Sequence, residues 1–242
     1  MNTQARWLLY IGDFKLSETV IVSWIIMAVL AVASYLLTRN LKKVPETKRQ
    51  IFLEYIVLKL YGLVEDTMGK ELVKRVPNIV PYIGSLFVFF ACSNLAPLLG
   101  LRSPTVDLDT TLALSTITAV LIYSISIRFS GAHYFKEMTE PTPFLLPIHL
   151  VGEIARPVSM AFRPFGNIMG GTLIMTLFYQ LMAYISELIP GVGIPFLQFI
   201  IPIPLHMYFD IFDGLIQAFI FIMLTMVFIG NSVEFKEEKI KK

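Results

Sequence analysis

The stretch TVIVSWIIMAVLAVASYLL, Thr19–Leu37, decides the fold class of this sequence, because it holds no charged residue over its whole length. A helix of about 20 apolar residues is long enough to cross the hydrocarbon core of a bilayer. Arg39, Lys42 and Lys43 follow directly, and Lys48 and Arg49 lie close behind. Lys and Arg accumulate on the cytoplasmic side of membrane helices. The stretch therefore predicts a first transmembrane helix whose N-terminus lies outside and whose end lies in the cytoplasm.

The composition of the whole chain agrees with a membrane protein. Hydrophobic residues make up 55% of its 242 residues and charged residues 16%, and the mean hydropathy is +0.68. Soluble domains carry about 25% charged residues. A net charge of only +2 argues against nucleic acid as a partner. The single cysteine, Cys92, rules out a disulfide framework and a cysteine-based metal site, and no histidine pair has metal-ligand spacing, so we expect no metal and no cofactor.

Residues 45–75 differ from the spans on either side of them. Apolar residues recur there, but Lys and Glu fill the gaps, so no charge-free stretch is long enough to cross a bilayer. The pattern predicts an amphipathic helix that lies in the cytoplasmic interface; the alternative is a soluble helix between two spans. Residues 79–129 predict a helical hairpin, with spans at Ile79–Leu99 and Leu112–Ile127 joined by a polar loop.

The last third of the sequence predicts two long helices. One covers Ile148–Leu188, the other Phe196–Ser232, and a turn signal, PGVGIP at 190–195, separates them. At about 1.5 Å per residue, the first is too long for one upright span. The charged tail EFKEEKIKK is expected in the cytoplasm. We therefore predict an all-α polytopic membrane protein, 1–242 as one domain, with about five membrane-embedded helices, one membrane-parallel amphipathic helix, and a final helix pair over 148–232.

Polar residues interrupt this final pair and share helical faces. Each charge at bilayer depth costs on the order of 2.5–3.5 kcal/mol on insertion scales, so such residues mark functional sites by default. Spacings of three, four and seven residues place members of each set on one face of a helix. The first set is Arg156, Arg163 and Asn167, and the second is His206, Asp210, Asp213 and Gln217.

Arg163 stands out because its guanidinium stays charged at every working pH. It cannot relay a proton, but it can hold a carboxylate ionised and repel a passing cation, as a barrier between two aqueous paths requires. The alternative is a structural arginine paired with Asp210 or Asp213. Those two acids could equally line a hydrated vestibule whose oxygens receive a proton or Na⁺. His206 either titrates there or is a hydrogen-bonded surface group.

Two further features concern packing on the first of these helices. Glu153 and Arg156 lie one turn apart and are expected to pair locally. Gly166, Gly170 and Gly171 leave a surface without side chains. Such a surface permits close packing either against another helix of this chain or against a helix of another subunit.

The run EIARPVSMAFRPFGNIMGG, Glu153–Gly171, resembles the signature of subunit a of the rotary F-type ATP synthase. The core of that signature, a proline followed six residues later by Arg-x-Phe-Gly-Asn, is present as Pro157 and Arg163 to Asn167. SPTVDLDTTLALS, Ser103–Ser115, is similar to the family's loop-to-helix motif. LIQAFIFIMLT, Leu215–Thr225, is similar to its closing helix, with Gln217 at the family's glutamine.

The resemblance implies a stator subunit in a bacterial inner membrane, without a catalytic site of its own, beside a rotating ring of c subunits and peripheral-stalk b subunits. Two half-channels would load and unload ring carboxylates with H⁺ or Na⁺, and Arg163 would separate them. The final two helices would be tilted and face the ring, with Asn167, Thr172, His206, Asp210, Asp213 and Gln217 along the ion path and Gly166, Gly170 and Gly171 packed against the ring.

The sequence departs from many relatives at three positions. Pro164 follows the arginine where leucine is common, which predicts a kink or local unwinding. Thr172 replaces a glutamate, and Asp210 replaces a histidine of some relatives, so the half-channel acid is expected on the other helix. Two other classes of membrane protein fit the sequence less well. A secondary transporter usually shows an internal repeat, which is absent here, and an intramembrane enzyme needs a nucleophile–base pair or metal ligands.

Overall fold

The computed structural model describes residues 7–11, 14–45, 47–131, 144, 146–188 and 197–240. A short antiparallel hairpin opens it, in which β1 (Trp7–Ile11) pairs with β2 (Phe14–Ser17). All other regular structure in these ranges is helical. The all-α class is therefore confirmed, and the hairpin is a small addition that the sequence analysis did not predict. The turn predicted at 190–195 lies outside the described residues.

Within the described ranges, five helical stretches are long and apolar enough to cross a membrane, which confirms a polytopic membrane protein. In chain order the α-helices and the one π-helical segment of these ranges are α1 (Glu18–Thr38), α2 (Lys48–Met68), α3 (Lys70–Arg75), α4 (Ile79–Leu95), α5 (Leu108–Ser130), α6 (Leu146–Glu187), α7 (Leu197–Ile200), α8 (Pro202–His206), a π-helical segment (Met207–Asp213) and α9 (Gly214–Ile240). Two short 3₁₀ helices, Ala96–Leu99 and Pro104–Val106, lie between α4 and α5.

The amphipathic segment consists of two helices instead of one. The Thr47 side chain accepts the N–H of Gln50 and thereby caps the start of α2. Gly69 ends α2 with a φ of 85°, a conformation that residues with a Cβ rarely adopt. The chain therefore turns between α2 and α3 at a position where glycine is required.

The core lies between α2, α4, α5 and α9. At its centre the rings of Phe90 on α4 and Phe221 on α9 stack with centroids 4.3 Å apart, and both side chains are buried. Lipid tails are as apolar as these side chains, so helices gain little hydrophobic free energy by associating inside a bilayer. Close van der Waals packing therefore holds these helices together.

Glycines bring α2 close to its neighbours. A Cβ at Gly230 of α9 would lie 3.2 Å from the backbone oxygen of Thr67, and a Cβ at Gly84 of α4 would lie 2.6 Å from Cδ2 of Leu60. The opposite side of α2, including Phe52 and Leu58, is not covered by other described parts of the chain. α2 thus packs on the bundle with one face and presents an apolar surface with the other.

α6 is a single long helix that packs on α5 and contributes Met160 to the core. Its 42 residues span roughly 63 Å at about 1.5 Å per residue. It passes through Pro157 and Pro164 without interruption, so the local unwinding predicted from Pro164 is wrong. A proline removes only its own N–H from the helix, and membrane helices tolerate that loss because neighbouring groups compensate for it.

The final stretch, in contrast, is not one regular helix. Pro202 begins α8, and the next seven residues, Met207–Asp213, form a π-helical segment before α9 starts. A π-helix bonds residue i to i+5 and has more residues per turn than an α-helix. The prediction of one α-helix over 196–232 is therefore wrong in its first half.

Hydrogen bonds fix the start of α9 to the loop before α5. Asn94 Nδ2 donates to the carbonyl oxygen of Gly214 at 2.8 Å, and Thr105 Oγ1 donates to Asn94 Oδ1 at 2.7 Å. Nearby, Thr19 Oγ1 of α1 donates to Asp107 Oδ2 at 2.5 Å. Asn94 and Thr105 are buried, where a lost hydrogen bond is costly. This network fixes the first residue of α9, Gly214, relative to α4 and the loop before α5.

Candidate functional site

α6 and the final stretch run antiparallel, and their polar side chains meet in pairs. Asn167 Nδ2 donates to Gln217 Oε1 at 2.8 Å. Further along α6, the hydroxyl of Tyr179 lies 2.9 Å from His206 Nε2. Residue numbers rise on α6 as they fall on its partner, which defines antiparallel neighbours. Positions one turn apart on α6 therefore face positions one turn apart on the final stretch.

Arg163 lies in an open groove of about 260 Å³ between α6 and α9. Its side chain is half-buried. Small residues of α6 form one wall of the groove and apolar residues of α9 form the other. Along with Arg163, the groove is lined by Gly152, Ala155, Arg156, Ser159, Leu224 and Phe228.

Arg163 makes no ion pair and no hydrogen bond with the described residues, although it lies on a helix that spans a membrane. Asp210 instead contacts His206, with Oδ2 2.9 Å from Nδ1. Asp213 makes no ion pair within the described ranges. The interpretation of Arg163 as a structural partner of Asp210 or Asp213 is therefore wrong.

Arg156, seven residues before Arg163, has a different environment. Its Nη1 lies 2.7 Å from Glu153 Oε1, so the predicted local pair is confirmed. Its guanidinium also lies over the ring of Phe228, 5.6 Å from the centroid, in a cation–π contact. Neither Asp210 nor Asp213 neutralises it, and of the two arginines in the groove Arg156 is already paired.

Gln217 is the most buried member of the polar set, with 2% of its surface exposed. Its Oε1 accepts from Asn167, while its Nε2 has no hydrogen-bond partner among the described residues. Leaving a buried donor unpaired costs about 1–3 kcal/mol. Such a group calls for an explanation.

Two carboxylates, those of Asp213 and Asp210, precede Gln217 along the final stretch. Asp213 and Asp210 lie in the π-helical segment, so they do not share the α-helical face that their spacing predicted. His206 bridges Asp210 and Tyr179 and is therefore more than a surface group. Sequence analysis missed Tyr179; its only signal was a hydroxyl in an apolar stretch, and no spacing rule connects it to His206.

The predicted glycine surface divides into two parts. A Cβ at Gly166 or Gly170 would meet nothing within 4 Å, so both lie on an open face of α6. Gly171 is buried, and a Cβ there would lie 3.2 Å from the ring of Phe209 in the same chain. Its prediction as a residue that packs against another subunit is wrong, because residues 170 and 171 lie about 100° apart around the helix.

Thr172 bonds within its own helix, since its Oγ1 donates to the carbonyl oxygen of Ile168 at 2.8 Å. Its side chain is half-buried. Within the described ranges, no three His, Cys, Asp or Glu side chains come together as metal ligands.

The fold and the site define a multi-pass membrane protein with a line of polar and charged side chains between two of its helices. That arrangement is typical of a protein that conducts ions. The family model for the ATP synthase A chain matches residues 20–230, and the chain belongs to this family. It is thus an ion-translocating subunit in the membrane sector of a multi-subunit ATP synthase complex. Because the chain belongs to this family, it is neither the secondary transporter nor the intramembrane enzyme that the sequence analysis weighed as alternatives.

Three curated relatives show the same similarity over most of their length. The sodium ion specific ATP synthase subunit a of Propionigenium modestum is 38% identical over 91% of this chain and 75% of its own length. ATP synthase subunit a 1 of Hahella chejuensis is 35% identical, over 93% of this chain and 88% of its own. ATP synthase subunit a of Moorella thermoacetica is 33% identical, over 93% and 94%.

Proposed function

We propose that Arg163 separates two half-channels and meets the carboxylates of a rotating c-subunit ring, so that ion flow drives rotation and ATP synthesis. One half-channel loads each ring carboxylate, and the other unloads it after the ring has turned. A fixed cation between the two paths repels a free cation and keeps the passing carboxylate ionised. The chain itself then needs no catalytic site.

The observation that supports this proposal is a pair of unsatisfied donors one turn apart. Arg163 has no partner among the described residues, and Gln217 Nε2, held by the bond from Asn167, has none either. Asn167 is four residues from Arg163, about 6 Å along the helix axis. A carboxylate at this level of α6 satisfies both donors with charge-assisted hydrogen bonds. A ring carboxylate is an acceptor that arrives and leaves, and a permanent partner in this chain would block it.

The outer half-channel follows the polar side chains that lead away from Arg163. Gln217, Asp213, Asp210 and His206 succeed one another at intervals of about one turn. Polar and ionisable side chains are costly at lipid-facing positions of a membrane helix. Water between these side chains would lower the free-energy cost of placing them in the membrane. Thr172 adds a half-buried hydroxyl on the α6 side of this path.

The inner half-channel follows the groove from Arg163 towards Gly152. The small side chains of Gly152, Ala155 and Ser159 leave room for water along α6. Arg156 does not compete for the ring carboxylate, because Glu153 already neutralises it. Gly166 and Gly170 continue the same open face, where a ring helix can approach the backbone closely.

The surroundings of the site complete the proposal. Partners are the c-ring, the b subunits of the peripheral stalk and the bilayer, in a bacterial inner membrane, with the N-terminus outside and the C-terminus in the cytoplasm. α2 lies along the cytoplasmic membrane surface with its uncovered apolar side in lipid. The translocated ion is H⁺ or Na⁺; the relative from Propionigenium modestum is described as sodium ion specific.

Substitution Arg163→Ala tests this function in the whole ATP synthase complex. We expect ion-driven ATP synthesis in proteoliposomes to fall below detection, because the barrier between the half-channels is lost. The complex should still assemble, as measured by copurification of the c-ring, since Arg163 makes no bond within the described chain. Arg156→Ala is the matched control: it removes the same charge from the same groove and should retain most of the synthesis.

Two results would contradict the proposal. Normal synthesis by Arg163→Ala would remove the guanidinium from the mechanism. An equal loss in Arg156→Ala would show that the groove needs positive charge in general, and would leave Arg163 without a special role.

A further inference from the structure

A continuous hydrogen-bond chain crosses from α6 to the final stretch at the outer end of the proposed half-channel. Tyr179 Oη lies 2.9 Å from His206 Nε2, and His206 Nδ1 lies 2.9 Å from Asp210 Oδ2. Gln198 Nε2 donates to the backbone oxygen of Tyr179 at 2.8 Å and ties α7 to α6 at the same level. The chain thus joins three separate elements through both nitrogens of one imidazole.

The direction of the bonds follows when Asp210 is taken as ionised and His206 as neutral. An ionised carboxylate can only accept hydrogen bonds, so His206 Nδ1 must donate to Asp210. A neutral imidazole with its proton on Nδ1 has a lone pair on Nε2, so the Tyr179 hydroxyl must donate there. Every donor in the chain therefore points inward, from Tyr179 to Asp210.

We propose that Tyr179, His206 and Asp210 form a proton relay into the outer half-channel, with Tyr179 as the residue that positions the imidazole. This inference rests on the proposed function and deepens it, because it names the proton as the ion that this path delivers. Within the described residues, the ionisable side chains bonded to His206 are Tyr179 from α6 and Asp210 from the π-helical segment.

One transfer through the relay conserves protons and involves no oxidation. A hydronium ion gives a proton to Tyr179 Oη as the tyrosine passes its own proton to His206 Nε2. The Nδ1 proton moves to Asp210 Oδ2. The products are water, tyrosine, neutral histidine with its proton on Nε2, and a protonated aspartate. Asp210 then passes the proton inward, and exchange of the histidine proton with water restores the first tautomer.

The relay reaches the surface of the chain. The side chain of His206 is 44% exposed and that of Asp210 is 33% exposed, so neither is sealed inside the protein. Na⁺ cannot follow the same route, since it binds oxygen ligands as a whole ion and does not hop between nitrogen and oxygen lone pairs. A sodium path here would have to displace the imidazole from Asp210.

The test uses the complete complex in proteoliposomes and measures the initial rate of ATP synthesis. Synthesis is driven in one set of experiments by a proton gradient in the absence of Na⁺, and in the other by a Na⁺ gradient in the absence of a pH difference. We expect His206→Gln to lower the proton-driven rate at least tenfold, since acid–base groups contribute about 10²–10⁴-fold and water offers a partial bypass. Tyr179→Phe should lower it severalfold and change the shape of its pH dependence. His149→Gln and Tyr184→Phe, at exposed positions of α6, are matched controls and should leave rate and profile unchanged.

The relay is refuted if His206→Gln keeps the normal rate at every pH, or if the Na⁺ gradient alone drives the unaltered complex. Should His206→Gln fail to assemble, Tyr179→Phe decides, and an unchanged rate and pH profile refute the relay. Arg163→Ala separates the two proposals. If it abolishes synthesis while the relay variants do not, the stator function stands and the relay falls.

Discussion

Two arginines on one face of α6 show how local partners decide the role of a side chain. Arg156 and Arg163 line the same groove and carry the same charge. Glu153 and the ring of Phe228 hold Arg156, so its charge is neutralised within the chain. Arg163, two turns further along the helix, makes no ion pair or hydrogen bond with the described residues and lines the groove with small and apolar side chains. A permanent cation that has no partner among the described residues of a membrane helix is unfavourable on its own, and under the proposed function a ring carboxylate would remove that cost.

Gln217 offers a direct test of the second donor at the site. Replacing it by leucine removes Nε2 and also the acceptor for Asn167. We expect Gln217→Leu to lower ion-driven ATP synthesis by about tenfold, because a hydrogen bond to a charged group contributes about 1.5–3 kcal/mol. Rates in proteoliposomes measure the loss. Gln180→Leu, at an exposed position of α6, is the control. A normal rate in Gln217→Leu would limit the site to Arg163.

At the scale of elements, the π-helical segment explains why the acids are not arranged as a stripe. Prolines at 202 and 204 precede it, and the ring of Phe209 lies over Gly171 of α6. The wider π turn places Asp210 next to His206 of the preceding helix, four residues away. π-helical turns are frequent at functional sites. Here the segment holds Asp210 beside His206, whose other ring nitrogen contacts Tyr179 of α6.

The contact of α9 with α2 is the second element-level feature that can be tested. Gly230→Leu places a side chain where a Cβ alone would lie 3.2 Å from the Thr67 backbone oxygen. A backbone atom cannot rotate away, so we expect destabilisation of about 1–3 kcal/mol, as for other overpacked sites. Faster trypsin cleavage at Lys59 of α2 in detergent should report the displaced helix.

Gly62→Leu is the control for this substitution, because a Cβ at Gly62 meets nothing within 4 Å. It adds the same side chain to α2 without a clash, and its cleavage should match that of the unaltered protein. Equal protection of Lys59 in Gly230→Leu would show that α2 is not held by this contact.

The positions of the helices could be predicted from the sequence more fully than the side-chain contacts between helices. Apolar length alone predicts the spans, since a bilayer requires a fixed number of residues, and the Thr19–Leu37 stretch nearly coincides with α1. The bond between Asn167 and Gln217 joins residues 50 positions apart, and that between Tyr179 and His206 joins residues 27 apart. Periodicity within one helix cannot reveal such pairs, and it assumes α spacing where the chain forms a π turn.

At the scale of the whole molecule, the charge distribution sets the proposed orientation. Basic residues cluster after α1, and a further basic residue, Arg128, lies at the end of α5. Neither α2 nor α3 is among the candidate spans, and α4 and α5 form a hairpin, so the end of α1 and the end of α5 face the same side. The positive-inside rule places that side in the cytoplasm. The loop with Arg102 and Asp107 then lies outside, at the same end as the start of the proposed outer half-channel.

Labelling with a membrane-impermeant thiol reagent tests this orientation in a Cys92→Ser background, which removes the only native thiol. Leu99, 80% exposed after α4, and Val44, 70% exposed before α2, are suitable positions. Leu99→Cys should react in right-side-out vesicles, and Val44→Cys should react only in inverted vesicles, because opposite ends of the bundle face opposite compartments. The reverse pattern would place the basic clusters outside and exchange the two half-channels, so that protons entering at Tyr179 would come from the cytoplasm.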